Sequence, residues 1–125
     1  MPLVLKVSPD IRYDSLESFC KIAIDYEIDG IIATNTTIDK SVLNDKSINI
    51  EGGISGKPLL NKSNNLIKAI KDQVGGKIKI IGTGGITTKE SAIYKLDCGA
   101  DLIQMYTGLV YKGTNLIREI TTNIK

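Results

Sequence analysis

Four short aliphatic runs, separated by longer amphipathic stretches, constrain the fold of this 125-residue chain more than any other feature. Each run is rich in Ile, Leu and Val and too short for an ordinary helix, so each predicts a buried strand. Strands that alternate with helices favour a parallel sheet with helices packed against it. The runs are LVLKV at 3–7, GIIAT at 30–34, KIKIIG at 77–82 and DLIQMY at 101–106.

An amphipathic pattern follows each run and predicts four helices. Capping-box spacing of Asp14 with Glu17, and of Thr87 with Glu90, predicts where the first and third helices begin. The glycine pair at 75–76 predicts the end of the second helix. The apolar positions expected to share a face are Leu16, Phe19, Ala23 and Tyr26 in the first helix, Leu66, Ile67, Ile70 and Val74 in the second, and Leu116, Ile117, Ile120 and Ile124 in the last.

Composition narrows the class of protein. A chain that is 42% hydrophobic and 24% charged predicts one globular domain, residues 1–125. A net charge of +2 without a basic block, together with few aromatic residues, argues against nucleic acid as a partner. No apolar run approaches the ~20 residues that span a bilayer. Cys20 and Cys98 fit no metal-binding spacing and are interpreted as reduced, buried thiols of a cytoplasmic protein.

Polar or glycine-rich segments follow all four predicted strands. Since parallel α/β folds bind ligands at the carboxyl ends of their strands, this coincidence predicts a site there. The segments are Lys6 with Ser8 to Asp10 after the first run, IATNTT at 32–37, GTGGIT at 82–87 and MYTG at 105–108.

The GTGGIT segment is typical of an anion-binding turn, because glycines let backbone N–H groups approach an anion at a helix start. It departs from the dinucleotide fingerprint G-x-G-x-x-G, because Thr87 stands where the third glycine belongs. A tight turn without a ligand remains an alternative. In (β/α)8 barrels the loops after the last two strands commonly hold a phosphate, which would join this turn to the segment at 105–108.

Two further features leave alternatives open. Lys6 lies inside an aliphatic strand, so it either extends to solvent from a strand edge or faces an anionic ligand. The segment GGISGKPL at 52–59 is either a long connection or a functional loop.

In this order the segments resemble the C-terminal half of dihydroorotate dehydrogenase, and more narrowly its quinone-linked, membrane-associated class 2. The series of IATNTT, GGISGKPL and a later GGI is specific to that family, and the similarity covers residues 3–124. The matching segments are VLKVSPD, DGIIATNTT, GGISGKPL, IIGTGGI, GADLIQMYTG and YKGTNLIREI.

The resemblance implies a (β/α)8 barrel that binds FMN, with this chain as approximately strands five to eight. Lys6 would contact the flavin near N1 and the C2 carbonyl and stabilise negative charge on the reduced ring. The remaining implied contacts are Thr34 with the flavin, Asn35 and Thr36 with dihydroorotate or orotate, Gly56 and Gly85 with FMN through the backbone, and Tyr106 and Thr107 with the phosphate.

The implied activity is oxidation of dihydroorotate to orotate in pyrimidine biosynthesis, with electrons passed to quinone. No segment matches the family's base serine, so neither Ser8 nor Ser55 is assigned that role. Thr114 stands where the family commonly has proline, which affects only a helix start. The quinone-binding and membrane-binding helices of the family have no match here. The parent enzyme would be peripheral on the bacterial inner membrane, whereas this chain would be cytoplasmic.

Two other hypotheses remain at this stage. The chain is an inactive half-barrel that acts only as a structural or association module, or it is a free-standing flavodoxin-like protein with an open sheet. A half-barrel would expose two sheet edges, and it would therefore pair with the missing half or with a second copy of itself.

Overall fold

The computed structural model describes residues 1–45, 47–49, 51–122 and 124. The four predicted strands are present, with boundaries that differ from the prediction by at most two residues. They are β1 (Val4–Val7), β2 (Gly30–Ala33), β3 (Lys79–Thr83) and β4 (Leu102–Gln104). The helices are α1 (Tyr13–Asp25), α2 (Leu60–Val74), α3 (Lys89–Asp97), α4 (Thr107–Lys112) and α5 (Thr114–Thr121), with short 3₁₀ turns at Lys40–Val42 and Lys57–Leu59.

All strand pairs are parallel, and the spatial order of the strands follows the chain order β1-β2-β3-β4. In a flavodoxin-like sheet the strand order reverses at a switch point and helices cover both faces. The sequential order seen here belongs to a barrel wall, in which each unit follows its neighbour in one direction. The flavodoxin-like hypothesis is therefore wrong.

The register of the sheet separates two faces. Val7, which pairs with Ala33, is buried beneath the helices. The adjacent residue in each strand points the other way, and β1 and β4 contribute exposed side chains there. This second face, called here the open face, carries the cross-strand row Lys6, Ile32, Ile81 and Leu102. Leu102 is 60% exposed, so the prediction of four buried strands is correct for β2 and only in part for β3, whose first residue, Lys79, is exposed.

The hydrophobic core lies between the sheet and α1 and α2, with a smaller cluster beneath α3 and α5. The predicted faces of the helices are largely correct, and both cysteines are buried and free. Tyr26 is an exception at 77% exposure, because α1 ends at Asp25. Ile117 is also partly exposed, at 40%. The buried core side chains include Leu16, Ile31, Ile67, Ile70 and Ile80 in the larger cluster and Ile86, Ala92, Leu116 and Ile120 in the smaller one.

Two predicted helix starts need correction. Arg12 precedes α1 without a side-chain cap, and Asp14 lies inside the first turn, where its carboxylate accepts the Ser15 N–H. The capping box of α3 pairs Thr88 with Ser91, one residue later than predicted. Helix α4 was not predicted, because six residues are too few for a periodic pattern. Within the described ranges, no helix combines the length and apolar character needed to cross a membrane.

Lys95 is a fully buried side chain that sequence analysis did not single out. Its ammonium nitrogen lies 2.9 Å from the Ser63 hydroxyl and 2.6 Å from the Asn64 side-chain oxygen, both on α2. The Ser63 hydroxyl in turn donates to the Thr83 carbonyl at the end of β3, at 2.6 Å. Burial lowers the pKa of Lys95 from 10.5 to about 8. This lysine therefore ties α3 to α2, and α2 to the sheet.

The lowered pKa of Lys95 predicts a pH-dependent stability. Below pH 8 the lysine is charged in the folded and the unfolded chain, whereas between pH 8 and 10.5 only the unfolded chain retains its proton. The free energy of unfolding should therefore rise between pH 8 and 10.5 because of Lys95, by at most about 1.4 kcal/mol per pH unit. Denaturant unfolding at several pH values should show that Lys95→Met lacks this contribution. Equal pH slopes for the two proteins would contradict it.

Candidate functional site at the carboxyl ends of the strands

The loops that follow all four strands line one cleft at the carboxyl edge of the sheet, which encloses about 170 Å³. Every residue that sequence analysis assigned to a ligand lies in its wall: Lys6, Thr34, Asn35, Thr36, Gly56, Gly85, Tyr106 and Thr107. The structure thus brings together segments up to a hundred residues apart in the chain. Further lining residues without an assigned role are Ser55, Leu59, Thr83, Gly84, Ile86, Met105 and Gly108.

Lys6 is the only charged side chain among the described residues that line the cleft. It projects from the open face of β1, an edge strand, and its side chain is exposed. No carboxylate in the described part of the chain forms an ion pair with it. Of the two alternatives for this lysine, the geometry favours the one that faces a ligand, since the cleft has an uncompensated positive charge.

The segment from Thr34 to Thr36 continues the sheet beyond the end of β2. The Thr34 N–H donates to the Thr83 carbonyl at 3.0 Å, and the Asn35 N–H donates to the Val7 carbonyl at 2.8 Å. These bonds extend the ladder to both neighbouring strands and fix the backbone at the mouth of the cleft. Thr34 is buried, with its hydroxyl on the Asn35 carbonyl, whereas Asn35 and Thr36 are exposed.

Gly85 brings the turn after β3 directly onto the start of α2. Its φ of +78° lies in the left-handed region, and a Cβ there would lie 2.5 Å from the Leu60 Cα. Among the described residues, the backbone N–H groups of Gly84 and Gly85 have no hydrogen-bond acceptor within the protein. The turn therefore presents two adjacent free donors beside the cleft, which fits the expectation of an anion-binding turn.

The segment at 52–59, called here the glycine loop, meets the start of α4 across the cleft. The Thr107 hydroxyl donates to the Ser55 hydroxyl at 2.9 Å, and the Thr107 methyl lies close to Gly56. Tyr106 precedes α4 without capping the helix through its side chain, so the first N–H groups of α4 also lie open at this edge. The turns at 82–87 and 105–108 border the same cleft, as the comparison with barrel phosphate sites predicted.

A charged cluster beside the cleft was missed by sequence analysis, which noted Asp10 only as a polar residue after β1. Lys62 on α2 forms ion pairs with Asp10 at 2.6 Å and Asp39 at 2.8 Å. Partial burial raises the pKa of Asp10, but hydrogen bonds from Lys62, Thr37 and Ile38 outweigh it and hold the pKa below its ordinary value. The hydrogen bond from Lys62 also lowers the pKa of Asp39. These residues lie far apart in the chain, so no local motif could have revealed them.

Comparison with known proteins gives a consistent answer. The family model described as dihydroorotate dehydrogenase matches residues 1–125. The chain belongs to the dihydroorotate dehydrogenase family. A protein named dihydroorotate dehydrogenase (quinone) from Buchnera aphidicola subsp. Schizaphis graminum is 48% identical over 125 residues, covering 99% of this chain and 37% of the relative. One of the same name from Aliivibrio salmonicida is 41% identical, with the same coverage.

Solved structures agree with the sequence comparison. The structure of ligand-free DHODH from Eimeria tenella superposes with a TM-score of 0.90 at 30% identity, covering 96% of this chain and 33% of that one. Its complex with ferulenol gives a TM-score of 0.89 at 30% identity, covering 96% of this chain and 32% of that one. The predicted fold class, four parallel βα units of a (β/α)8 barrel, and the quinone-linked class are both confirmed. The chain spans about a third of the length of these relatives.

Substitution of Gly85 by alanine should disturb the cleft as well as the fold. The methyl group would meet the backbone of Leu60, whereas at Gly75, where φ is +56°, it would meet nothing within 4 Å. Gly75→Ala should therefore cost about 1 kcal/mol of unfolding free energy from backbone strain alone. Gly85→Ala should cost about 2 kcal/mol more, from steric overlap. Urea unfolding measures both, and equal losses would contradict the close packing on α2.

Proposed function

We propose that residues 1–125 form the FMN- and orotate-binding part, approximately strands five to eight, of a quinone-linked dihydroorotate dehydrogenase. The observation that carries this proposal is the convergence of all eight assigned residues on one cleft with a single cation and no carboxylate in its described lining. Both the names of the relatives and the family model support the reaction class.

The donor set of the cleft fits FMN. The free N–H groups at Gly84 and Gly85, with the uncapped start of α4, suit the phosphate, and Lys6 suits the electron-rich edge of the reduced ring. When bound, FMN supplies the acceptor for the hydride that leaves dihydroorotate. Because Lys6 has no carboxylate partner, its full charge is available to stabilise negative charge that develops beside it.

Asn35 and Thr36 suit a pyrimidine substrate. An amide offers a donor and an acceptor side by side, and a hydroxyl offers both, which matches the alternating carbonyl and N–H groups of dihydroorotate. Thr34 precedes them with its backbone fixed by β3, and all three residues line the cleft. Their role is to orient the substrate ring, and we propose that the base that removes its proton lies outside this chain.

The cleft is incomplete as a site for ligands of this size. It encloses about 170 Å³, below the ~300–1,000 Å³ typical of small-molecule sites. Within the described part of the chain, β1 and β4 are each paired on one side only, and the open face carries exposed apolar side chains such as Leu102. We propose that the remaining part of the barrel covers this face. Quinone and the inner membrane would contact the enzyme there, outside this chain.

These unpaired edges also favour a second hypothesis, in which the chain is an inactive half-barrel that only associates with another half or with its own copy. The two hypotheses differ in whether association creates a working site. They are separated by measuring turnover and bound flavin in the assembled protein.

Activity should require the missing part of the barrel. We expect no oxidation of dihydroorotate by this chain alone with added FMN and a dye acceptor. Co-expression with the remaining two thirds of the Buchnera relative should give a complex with flavin absorbance and measurable turnover. Turnover by the chain alone would refute the need for a partner, and a colourless, inactive complex would favour the association module.

Replacement of Lys6 by methionine tests the electrostatic role. In the same complex, Lys6→Met should lower the turnover number about 100-fold, the typical loss when one charge-stabilising donor is removed. Bound FMN should remain, because the backbone donors are unchanged. Lys77→Met, at an exposed position two residues before β3 and far from its carboxyl end, is the matched control and should retain full turnover. Equal activity in the two variants would remove Lys6 from the proposed site.

A further inference from the structure

Behind the cleft, four residues from three segments form one hydrogen-bonded cluster, called here the carboxylate clasp: Asp10, Thr37, Asp39 and Lys62. We propose that the clasp is a positioning device for Asn35 and Thr36, which sets the affinity for the pyrimidine substrate and leaves FMN binding unchanged. This inference rests on the proposed function and deepens it. None of the four residues lines the cleft itself.

Asp10 is the centre of the clasp. It follows β1 and reaches across to the loop after β2, where one carboxylate oxygen accepts the Thr37 hydroxyl and the other accepts the Ile38 N–H at 2.9 Å. The Thr37 oxygen also accepts the Asp39 N–H at 3.1 Å. Thr37 is fully buried, so the two bonds made by its hydroxyl group are partly shielded from competition by water.

Lys62 connects the clasp to the rigid part of the molecule. It projects from the first turn of α2 and pairs with both carboxylates, Asp10 at 2.6 Å and Asp39 at 2.8 Å. The side chain of Lys62 is 26% exposed and that of Asp10 is 23% exposed, so this pair is better shielded than an ordinary surface ion pair. A helix that packs in the core thus holds the loop through two charge-assisted bonds.

The clasp reaches the substrate residues through Thr37. The backbone of Thr37 pairs with that of Ile54 in both directions, at 3.1 and 2.7 Å. This pairing presses Gly53 against Thr36, since a Cβ at Gly53 would lie 1.9 Å from the Thr36 hydroxyl oxygen. Thr36 is therefore confined between Thr37, which is held by its hydrogen bonds, and the glycine loop. Releasing Thr37 would free Thr36 and, through it, the Asn35 side chain, whose amide oxygen accepts the Thr36 N–H at 2.9 Å. The Asn35 backbone would stay bonded to the Val7 carbonyl.

Three of the proposed FMN contacts are held by other means, which makes the effect selective. Gly85 rests on the start of α2, Lys6 belongs to β1, and the Thr34 N–H donates to the Thr83 carbonyl. None of these three residues is bonded to Asp10 or Asp39. Loss of the clasp should therefore loosen the substrate residues before it loosens the cofactor.

Asp101 provides a matched control for Asp10. Its side chain is 24% exposed, and its carboxylate accepts a backbone N–H from Ile80 at 2.9 Å and a lysine ammonium from Lys79 at 3.1 Å. It lies before β4, at the opposite edge of the sheet from the cleft. Asp10→Asn and Asp101→Asn thus each remove one negative charge from a partly buried carboxylate that is paired with a lysine. The two positions lie at opposite edges of the sheet.

The experiment measures orotate and FMN affinities in the complex of this chain with the remaining two thirds of the Buchnera relative. Asp10→Asn should weaken orotate binding about 10-fold, because a displaced binding residue costs affinity steeply, and FMN affinity should change less than 2-fold. Asp101→Asn should leave both unchanged. Equal weakening in the two variants, or a parallel loss of FMN from Asp10→Asn, would overturn the inference.

A ligand-free readout keeps the inference separate from the proposed function. In hydrogen exchange on the same complex, Asp10→Asn should lose at least 10-fold protection at the Thr37 and Ile54 amides, neither of which donates to Asp10. Lys62→Met should do the same, and the double variant should add little, because both changes break one network. Unchanged protection of the Thr37 and Ile54 amides would contradict the proposed role of the clasp. A complex that binds no orotate would contradict the proposed function. The hydrogen-exchange rates at Thr37 and Ile54 would still show whether the clasp holds the loop after β2.

Discussion

Parallel pairing in sequential order is the constraint on which the rest of this structure depends. Because β1 to β4 run in the same direction and in chain order, every loop that follows a strand lies at one edge of the sheet. The register sets Lys6 level with Ile32, so the lysine reaches the same edge as the segment after β2. A single strand in the opposite direction would carry its polar segment to the far edge, and the cleft would lose one wall.

The start of α2 is the point at which this edge is made rigid. Leu60 supports Gly85, Ser63 bonds to the Thr83 carbonyl, and Lys62 holds the loop after β2. Lys95 secures the same turn of the helix from the other side, through hydrogen bonds to Ser63 and Asn64. A buried ammonium without a carboxylate partner is costly, and its cost is reduced by two oxygen acceptors and by a lowered pKa. One helix end thus positions the turn on one side of the cleft and the loop after β2 on the other.

Sequence reasoning recovered what local patterns encode and missed what depends on distant partners. Strand composition and polar strand ends were enough to predict the sheet and to gather residues as distant as Lys6 and Thr107 in one site. The start of α1 was misplaced because Asp14 bonds within the first turn instead of capping it. Buried Lys95 looks in the sequence like any other helical lysine, and its role depends on residues some thirty positions earlier. Ion pairs such as that of Asp10 with Lys62 have no periodic signal at all.

The ion pairs of the clasp also affect the electrostatic potential in the cleft. Two carboxylates lie on the loops next to the cleft, and either of them, left unpaired, would attract Lys6 and cancel the field it provides. Lys62 pairs with both from behind, where its single positive charge offsets one of the two negative charges, and the hydrogen bonds that hold Asp10 and Asp39 in their charged form keep both engaged there. Lys6 is therefore left as an uncompensated cation facing an edge rich in free backbone donors. The same ion pairs that fix the loop also preserve the electrostatic asymmetry on which an anionic, electron-accepting ligand would depend.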